Sequence, residues 1–232
     1  MEDSVVDQLE TPIHKAITNG NLQEVHALIE KGINLNSKDA VRKTPLHYAV
    51  LYERKTLVEL LLEKGAKIDE KDSKKITPLQ IVVLSGQLSI TKIFLKNGAN
   101  ADHIDRFGRT TLTMAIASNN IPITKLLLKY GANANMIGLD GRPVLIIAIR
   151  YRNSCIAELL IENGAKINSK TKYYLTPLRL AVLSTQVKSV EMLLRKGASL
   201  KIKNRHGNTP METTLDNNYG ILNLFKIICY YN

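Results

Sequence analysis

Cysteine is scarce: the chain of 232 residues has two, Cys155 and Cys229. No histidine or cysteine stands near either at metal-ligand spacing, which leaves two ordinary reduced thiols and argues against a disulfide framework or a structural zinc. Long hydrophobic runs are missing too. The longest obvious one, Val144 to Ile149, falls far short of the ~20 residues needed to cross a bilayer. The opening residues, Met1-Glu2-Asp3-Ser4, are acidic and lack the charged-then-apolar pattern of a secretory signal. A cytoplasmic or nuclear protein that is not secreted and does not enter membranes is expected.

Catalytic constellations are equally hard to find. His26, His103 and His206 are scattered, with no acid or nucleophile at a defined spacing, so no triad is legible. Gly138-Leu139-Asp140-Gly141 is a turn and not a phosphate-cradling loop. Asp69, Asp72, Asp102 and Asp105 invite a cation site, but no calcium-loop spacing is present and they read as solvated turn residues. No catalytic residue, metal ligand or cofactor is expected, and nothing argues for an enzyme.

What the chain does have is a core-forming composition, 44% hydrophobic against 23% charged, and a strict period. From Thr44, steps of 33 residues in both directions reach Thr11, Thr77, Thr110, Pro143, Thr176 and Thr209 without insertion or deletion. A second marker falls at Gly32, Gly65, Gly98, Gly131, Gly164 and Gly197. The cleanest unit is Thr44-Pro45-Leu46-His47-Tyr48-Ala49-Val50, followed by 57–66. Thr44 is suited to cap a helix that Pro45 opens, because the missing N–H of proline costs nothing there. Leu46, Ala49 and Val50 give one apolar face, with Ala16, Ala115, Ala148 and Ala181 as small counterparts of Ala49 and with Val82 and Thr214 as departures. Leu57, Val58, Leu61 and Leu62 stripe a second helix, which Gly65 ends in the left-handed conformation.

A Thr-Pro-Leu-His core on this period resembles the ankyrin-repeat family over nearly the whole length. The resemblance implies an all-α solenoid of about seven helix-turn-helix repeats with projecting hairpin fingers. One domain over 1–232 is expected, with repeats near 6–38, 39–71, 72–104, 105–137, 138–170, 171–203 and a degenerate 204–232. The resemblance also implies that His14 and His47 bond the backbone of a neighbouring finger. Arg42, Lys75 and Tyr174 stand where the family has a turn glycine, so those fingers are expected to be strained or differently turned. Repeat four replaces the proline by Thr111. Repeat five lacks the capping Thr, so its first helix is expected to begin less firmly.

Such proteins bind partners with finger tips and the exposed end of the first helix. The positions so implied are Val41, Lys43, Leu51 and Tyr52; Lys74, Ile76 and Leu84; Arg106, Phe107 and Arg109; Leu139, Arg142, Arg150 and Tyr151; and Lys172, Tyr173, Leu175 and Leu183. Tyr, Phe, Leu and Arg along one face suit an interface with another protein. The bland counterpart is that singly exposed apolar residues occur on any surface.

Net charge is +11 and uneven. Residues 1–32 hold six acids and two bases, whereas 166–205 hold ten bases and the single acid Glu191. Lys166, Lys170, Lys172, Lys201, Lys203 and Arg205 make a basic strip suited to a partner with an acidic segment; nucleic acid is the alternative, with only Tyr173 and Tyr174 to stack on bases. Codon bias of an AT-rich genome also enriches lysine. In composition the chain resembles the ankyrin-repeat proteins of large DNA viruses, poxviruses especially, which points to a viral modulator of host signalling. It lacks their F-box-like C-terminal domain, which weighs against direct ligase recruitment. An effector of an intracellular bacterium and a structural spacer read similarly, and a monomer is expected in isolation.

Overall fold

The computed structural model describes residues 11–138 and 141–213, with Gly220, Ile221, Asn223 and Phe225 beyond them. Twelve helices stand among the described residues, in pairs of a short first and a longer second. The first helices are α1 (Pro12–Thr18), α3 (Pro45–Leu51), α5 (Pro78–Leu84), α7 (Thr111–Ala117), α9 (Val144–Arg150) and α11 (Pro177–Leu183). The second helices are α2 (Leu22–Glu30), α4 (Lys55–Glu63), α6 (Leu88–Lys96), α8 (Ile121–Lys129), α10 (Ser154–Glu162) and α12 (Val187–Arg195). The connecting fingers form no extended strand, only the isolated bridges Ile104–Thr110 and Ile137–Pro143 among the described residues.

Two compact units result, Met1–Met114 and Ala115–Asn232. In the first, α1 packs on α2 and α3, α3 on α4 and α5, and α6 against α4 and α5. In the second, α9 packs on α10 and α11, α12 on α10 and α11, and α8 on α10. One helix pair cannot cover its own apolar face, so within each unit one pair leans on the next. Ala16, Ala49, Ala115, Ala148 and Ala181 are all fully buried, as is Val82 in the same register. Leu46, Leu61, Leu79 and Ile123 lie beside them with no exposure, each contributing roughly 1.5–3 kcal/mol by burial. In α4 the buried stripe takes in Leu60, and Leu62, expected inside, is half-buried.

Helix entry depends on the residue three after the marker. At Thr44 the hydroxyl lies 2.8 Å from His47 Nδ1, whereas Thr176 Oγ1 accepts the Arg179 N–H at 3.2 Å in the expected capping bond. Second helices borrow asparagine caps: Asn120 and Asn153 Oδ1 accept from Ile123 and Ile156 N–H at 3.0 and 2.8 Å. Gly65 ends α4 at φ +86°, and its N–H and that of Ala66 bond the Leu62 and Leu61 carbonyls at 3.1 and 2.9 Å.

In repeat five the N-cap is Pro143, with no side-chain capping bond, as the missing Thr implies; helix α9 still has seven residues like the other first helices, and the Val144 N–H donates to the Met136 carbonyl at 3.2 Å. Repeat seven opens with a capping box, in which Glu212 accepts from Thr209 N–H at 2.6 Å. Ile221 and Phe225 are helical and fully buried; Thr214, Cys229 and most of the expected last helix lie outside the described residues.

A left-handed residue also recurs after each first helix, in the series Gly20, Glu53, Gly86, Asn119, Arg152, Thr185. Thr185 is the costly member, since a β-branched residue at φ +54° is a steric outlier. Thr185→Gly is expected to raise stability by about 1 kcal/mol, the strain released less the added chain entropy. Urea denaturation measures it, and a lower midpoint would refute the account.

Candidate functional site: finger tips and first-helix ends

The fingers are stiffened by one side chain at a fixed register. Asp39 Oδ1 accepts the N–H groups of Val41 and Lys43 at 3.0 and 2.7 Å. Asp72 does the same for Lys74 and Ile76, both at 2.8 Å. Asp105 serves Phe107 and Arg109 at 2.8 and 2.9 Å. Thr171 takes the role for Tyr173 and Leu175 at 3.2 and 3.3 Å, and Asn204 for His206 and Asn208 at 2.9 and 3.0 Å. Asp72 and Asp105 are therefore buried, at 8% and 3% exposure, and are not the solvated turn residues expected. Their carboxylates hold the backbone. Among the described residues no cluster of three His, Cys, Asp or Glu is arranged to hold a metal ion.

Arg42, Lys75 and Tyr174 adopt φ of +62°, +57° and +60°, close to the +74° of Gly108. The strain expected at these fingers is present, but their turn is the same as the glycine one. Just before that turn comes the tip, and this register holds Val41, Lys74, Phe107 and Tyr173. Val41, Phe107 and Tyr173 are 45%, 57% and 60% exposed. Apolar side chains are thus presented to solvent on a backbone that the Asp or Thr below keeps in one shape.

Neighbouring fingers are tied together within each unit. In the first unit Ser73 N–H donates to the Val41 carbonyl at 2.9 Å, and Arg106 N–H to the Lys74 carbonyl at 3.0 Å. Deeper, His14 and His47 Nε2–H donate to the carbonyls of Lys43 and Ile76 at 3.2 and 3.1 Å. Sequence reading missed that Gln80 and Arg179 fill the same register with the same job. Gln80 Nε2 reaches the Arg109 carbonyl at 3.4 Å and that of His103 at 3.1 Å. Arg179 Nη2 reaches the Ile202 and Asn208 carbonyls at 3.1 and 2.6 Å. The 33-residue register would have revealed both.

His47 is fully buried, and burial lowers its pKa; the Ile76 carbonyl and Asp72 oppose that shift while Lys43 and Lys38 reinforce it. Thr44 N–H donates to its Nδ1 at 3.1 Å, so the ring is held neutral with its proton on Nε2.

The expected docking residues are mostly where the register puts them. Leu51, Tyr52 and Leu84 in the first unit, and Tyr151 and Leu183 in the second, are exposed at the ends of first helices. Lys74, Arg106, Arg109, Arg150, Lys172 and Tyr173 are exposed as well. Lys43, Ile76, Arg142 and Leu175 are half-buried, although Arg109 in the same register is exposed. Arg109 is committed internally, with Nη2 2.7 Å from Asp105 and its guanidinium over the Phe107 ring at 5.1 Å. Leu139 lies outside the described residues.

Basic-strip residues Lys166, Lys170, Lys172, Lys201, Lys203 and Arg205 are all exposed. By contrast, the open cleft of about 660 Å³ among the first unit's fingers carries both signs of charge, with Lys38 bonded to Glu70 at 2.6 Å. That bond lowers the Glu70 pKa and leaves the cleft self-neutralised.

A family model for ankyrin repeats matches three times, over residues 2–72, 69–138 and 145–231. The chain belongs to the ankyrin-repeat family. This ankyrin-repeat chain superposes on the crystal structure of the ankyrin repeat domain of Bcl-3, a member of the IkappaB protein family, with a TM-score of 0.86 and 26% identity. The match covers 94% of this chain and 98% of that one. The human ASB11 ankyrin repeat domain matches with a TM-score of 0.73 at 24% identity, again over 94% and 98%, a likeness of fold. Among curated proteins none matches significantly. Ankyrin-repeat domains serve generally as scaffolds for protein interaction.

Proposed function

We propose that this chain is a non-enzymatic scaffold or adaptor that binds a partner protein through its finger tips and first-helix ends. The observation that supports the reading best is the register of its exposed apolar residues. Val41, Phe107 and Tyr173 share one finger position, Leu51, Leu84 and Leu183 one helix-end position, and Tyr52 and Tyr151 the next. Exposed apolar residues also occur at the start of second helices, at Leu88, Ile121 and Val187, but those at the finger tips stand on a backbone held from beneath by Asp39, Asp105 and Thr171. Rigid aromatic side chains lose little entropy on binding and serve as anchors.

The partner carries an acidic segment, in keeping with the net charge of +11. We place the protein in the cytoplasm or nucleus, as a modulator of host signalling of the viral type that its composition resembles. Changing Tyr52, Phe107 and Tyr151 together to Ala is expected to weaken binding of a partner captured from host-cell lysate at least ~10-fold, with the helical circular dichroism unchanged. Equal affinity with an intact fold would remove this face from consideration.

A further inference from the structure

We infer that two neighbouring fingers of the C-terminal unit, around 166–175 and 199–208, form a cradle for an extended acidic peptide, with Lys170, Lys172 and Arg205 receiving its carboxylates. This rests on the protein-binding reading above and names the chemistry of one part of that surface. Three observations carry it.

The two fingers hold no acid of their own to neutralise their cations. Lys166, Lys170, Lys172, Lys201, Lys203 and Arg205 are exposed, and among the described residues none of them makes a salt bridge. Glu212, whose charge Lys203 feels, directs its carboxylate to the Thr209 N–H and hydroxyl at 2.6 and 2.9 Å. Lys196, by contrast, lies between Glu158 and Glu162 at 3.1 and 3.0 Å. The fingers instead collect positive charge that mutual repulsion would disperse unless a polyanion offsets it.

The cations are also set in place before anything binds. Lys172 Nζ and the Arg205 guanidinium both stand over the Tyr173 ring, at 5.1 and 4.8 Å from its centroid, and Lys170 stands over Tyr174 at 4.6 Å. Arg205 Nη2 further donates to the Lys172 carbonyl at 2.9 Å, joining the two fingers and leaving other guanidinium N–H groups for a carboxylate. Long basic side chains usually lose rotamer freedom on binding, and resting them on a ring removes part of that cost.

The same stacking decides between polyanions. Single-stranded nucleic acid is held by open aromatic faces on which bases stack. Here Tyr173 and Tyr174 already carry cations on their rings, so they serve to position charge. A peptide carboxylate needs only those cations. With stacked helix pairs about 8–10 Å apart and an extended chain rising about 3.3 Å per residue, acids at roughly every third position match the finger spacing.

The test uses the full chain and a short labelled peptide with Glu at every third position in a Ser/Gly background, read by fluorescence anisotropy at low salt. The wild-type protein is expected to bind it more tightly than an isomer with the same Glu residues contiguous. Lys172→Glu with Arg205→Glu should weaken binding at least ~10-fold. Tyr173→Leu, which keeps apolar bulk but removes the ring face, should weaken it about 2–5-fold. Affinity indifferent to the double charge reversal overturns the cradle, and so does single-stranded DNA that binds more tightly than the peptide and loses affinity on Tyr173→Leu. If the peptide fails while the captured partner still depends on Tyr52, Phe107 and Tyr151, the cradle falls and the docking face stands. If both fail, both readings fall.

Discussion

Arg179→Ala is expected to lower the stability of the C-terminal unit by about 3 kcal/mol, the sum of lost hydrogen bonds and a hole left in the repeat interface. Arg179 is only 3% exposed, and its guanidinium reaches three groups: the Ile202 and Asn208 carbonyls of the last finger and, at 3.4 Å, Thr213 Oγ1. Burial lowers the guanidinium pKa while Glu212 acts in the opposite sense, and the group remains a cation throughout the physiological range. Arg179→Gln should recover part of the loss, since Gln80 spans the corresponding gap in the first unit with a shorter amide. Urea denaturation gives the magnitude. Amide exchange in the finger around 199–208 gives the location, because breaking this tie should release that finger before α12. A change below about 1 kcal/mol, with exchange unaltered, would show that the tie is not what holds the last repeat.

His47 should make the first unit sensitive to acid. Its folded-state pKa lies below the unfolded value of about 6.5. Between those two values the unfolded chain holds more protons, so stability is complete above about pH 6.5 and declines as the pH falls beneath it. The geometry gives the reason. A proton on Nδ1 would oppose the Thr44 N–H that now donates to it at 3.1 Å. His47→Gln is expected to keep most of the stability and flatten this part of the pH profile. Gln80 shows how, accepting from Thr77 N–H through Oε1 at 3.1 Å while its amide nitrogen donates to the next finger. His47→Ala should cost about 2–3 kcal/mol at neutral pH, since it abandons both the Ile76 carbonyl and the Thr44 N–H. Thermal unfolding of the three forms from pH 7.5 to pH 5 separates these outcomes. A glutamine variant with the same acid loss as wild type would assign that loss to other groups.

The repeat spacing and the helix pairs were legible because they depend on local chemistry repeated at one interval. Thr-Pro opens a helix, small Ala lets two helices approach, and Gly closes the second. Position in the register, without any appeal to packing, was enough to place Val41, Leu51, Tyr52, Leu84, Phe107, Tyr151, Tyr173 and Leu183 on the exposed side. Where the reading went astray, residue type stood in for environment. Asp72 and Asp105 looked like solvent-facing turn acids, yet each accepts two backbone N–H groups and is buried by the finger it holds. The bond from Val144 N–H to the Met136 carbonyl in repeat five was invisible to residue type, because it needs no particular side chain.

By itself the sequence determined the family, the period, the helix boundaries near each Thr and Gly, and several positions of each repeat that face solvent. All of these follow from interactions within a few residues or from one repeat's place in the series. Tertiary structure added that Gln80 and Arg179 make the tie expected of His14 and His47, one kind of contact in three chemistries. Only there are the Lys43, Ile76, Arg109 and Asn208 carbonyls, each just before the next marker, brought within reach of a side chain 29 residues earlier. It also decided that Lys172 and Arg205, 33 positions apart, meet over one tyrosine ring. A contact between repeats depends on how one pair of helices leans on the next, and no single repeat carries that information.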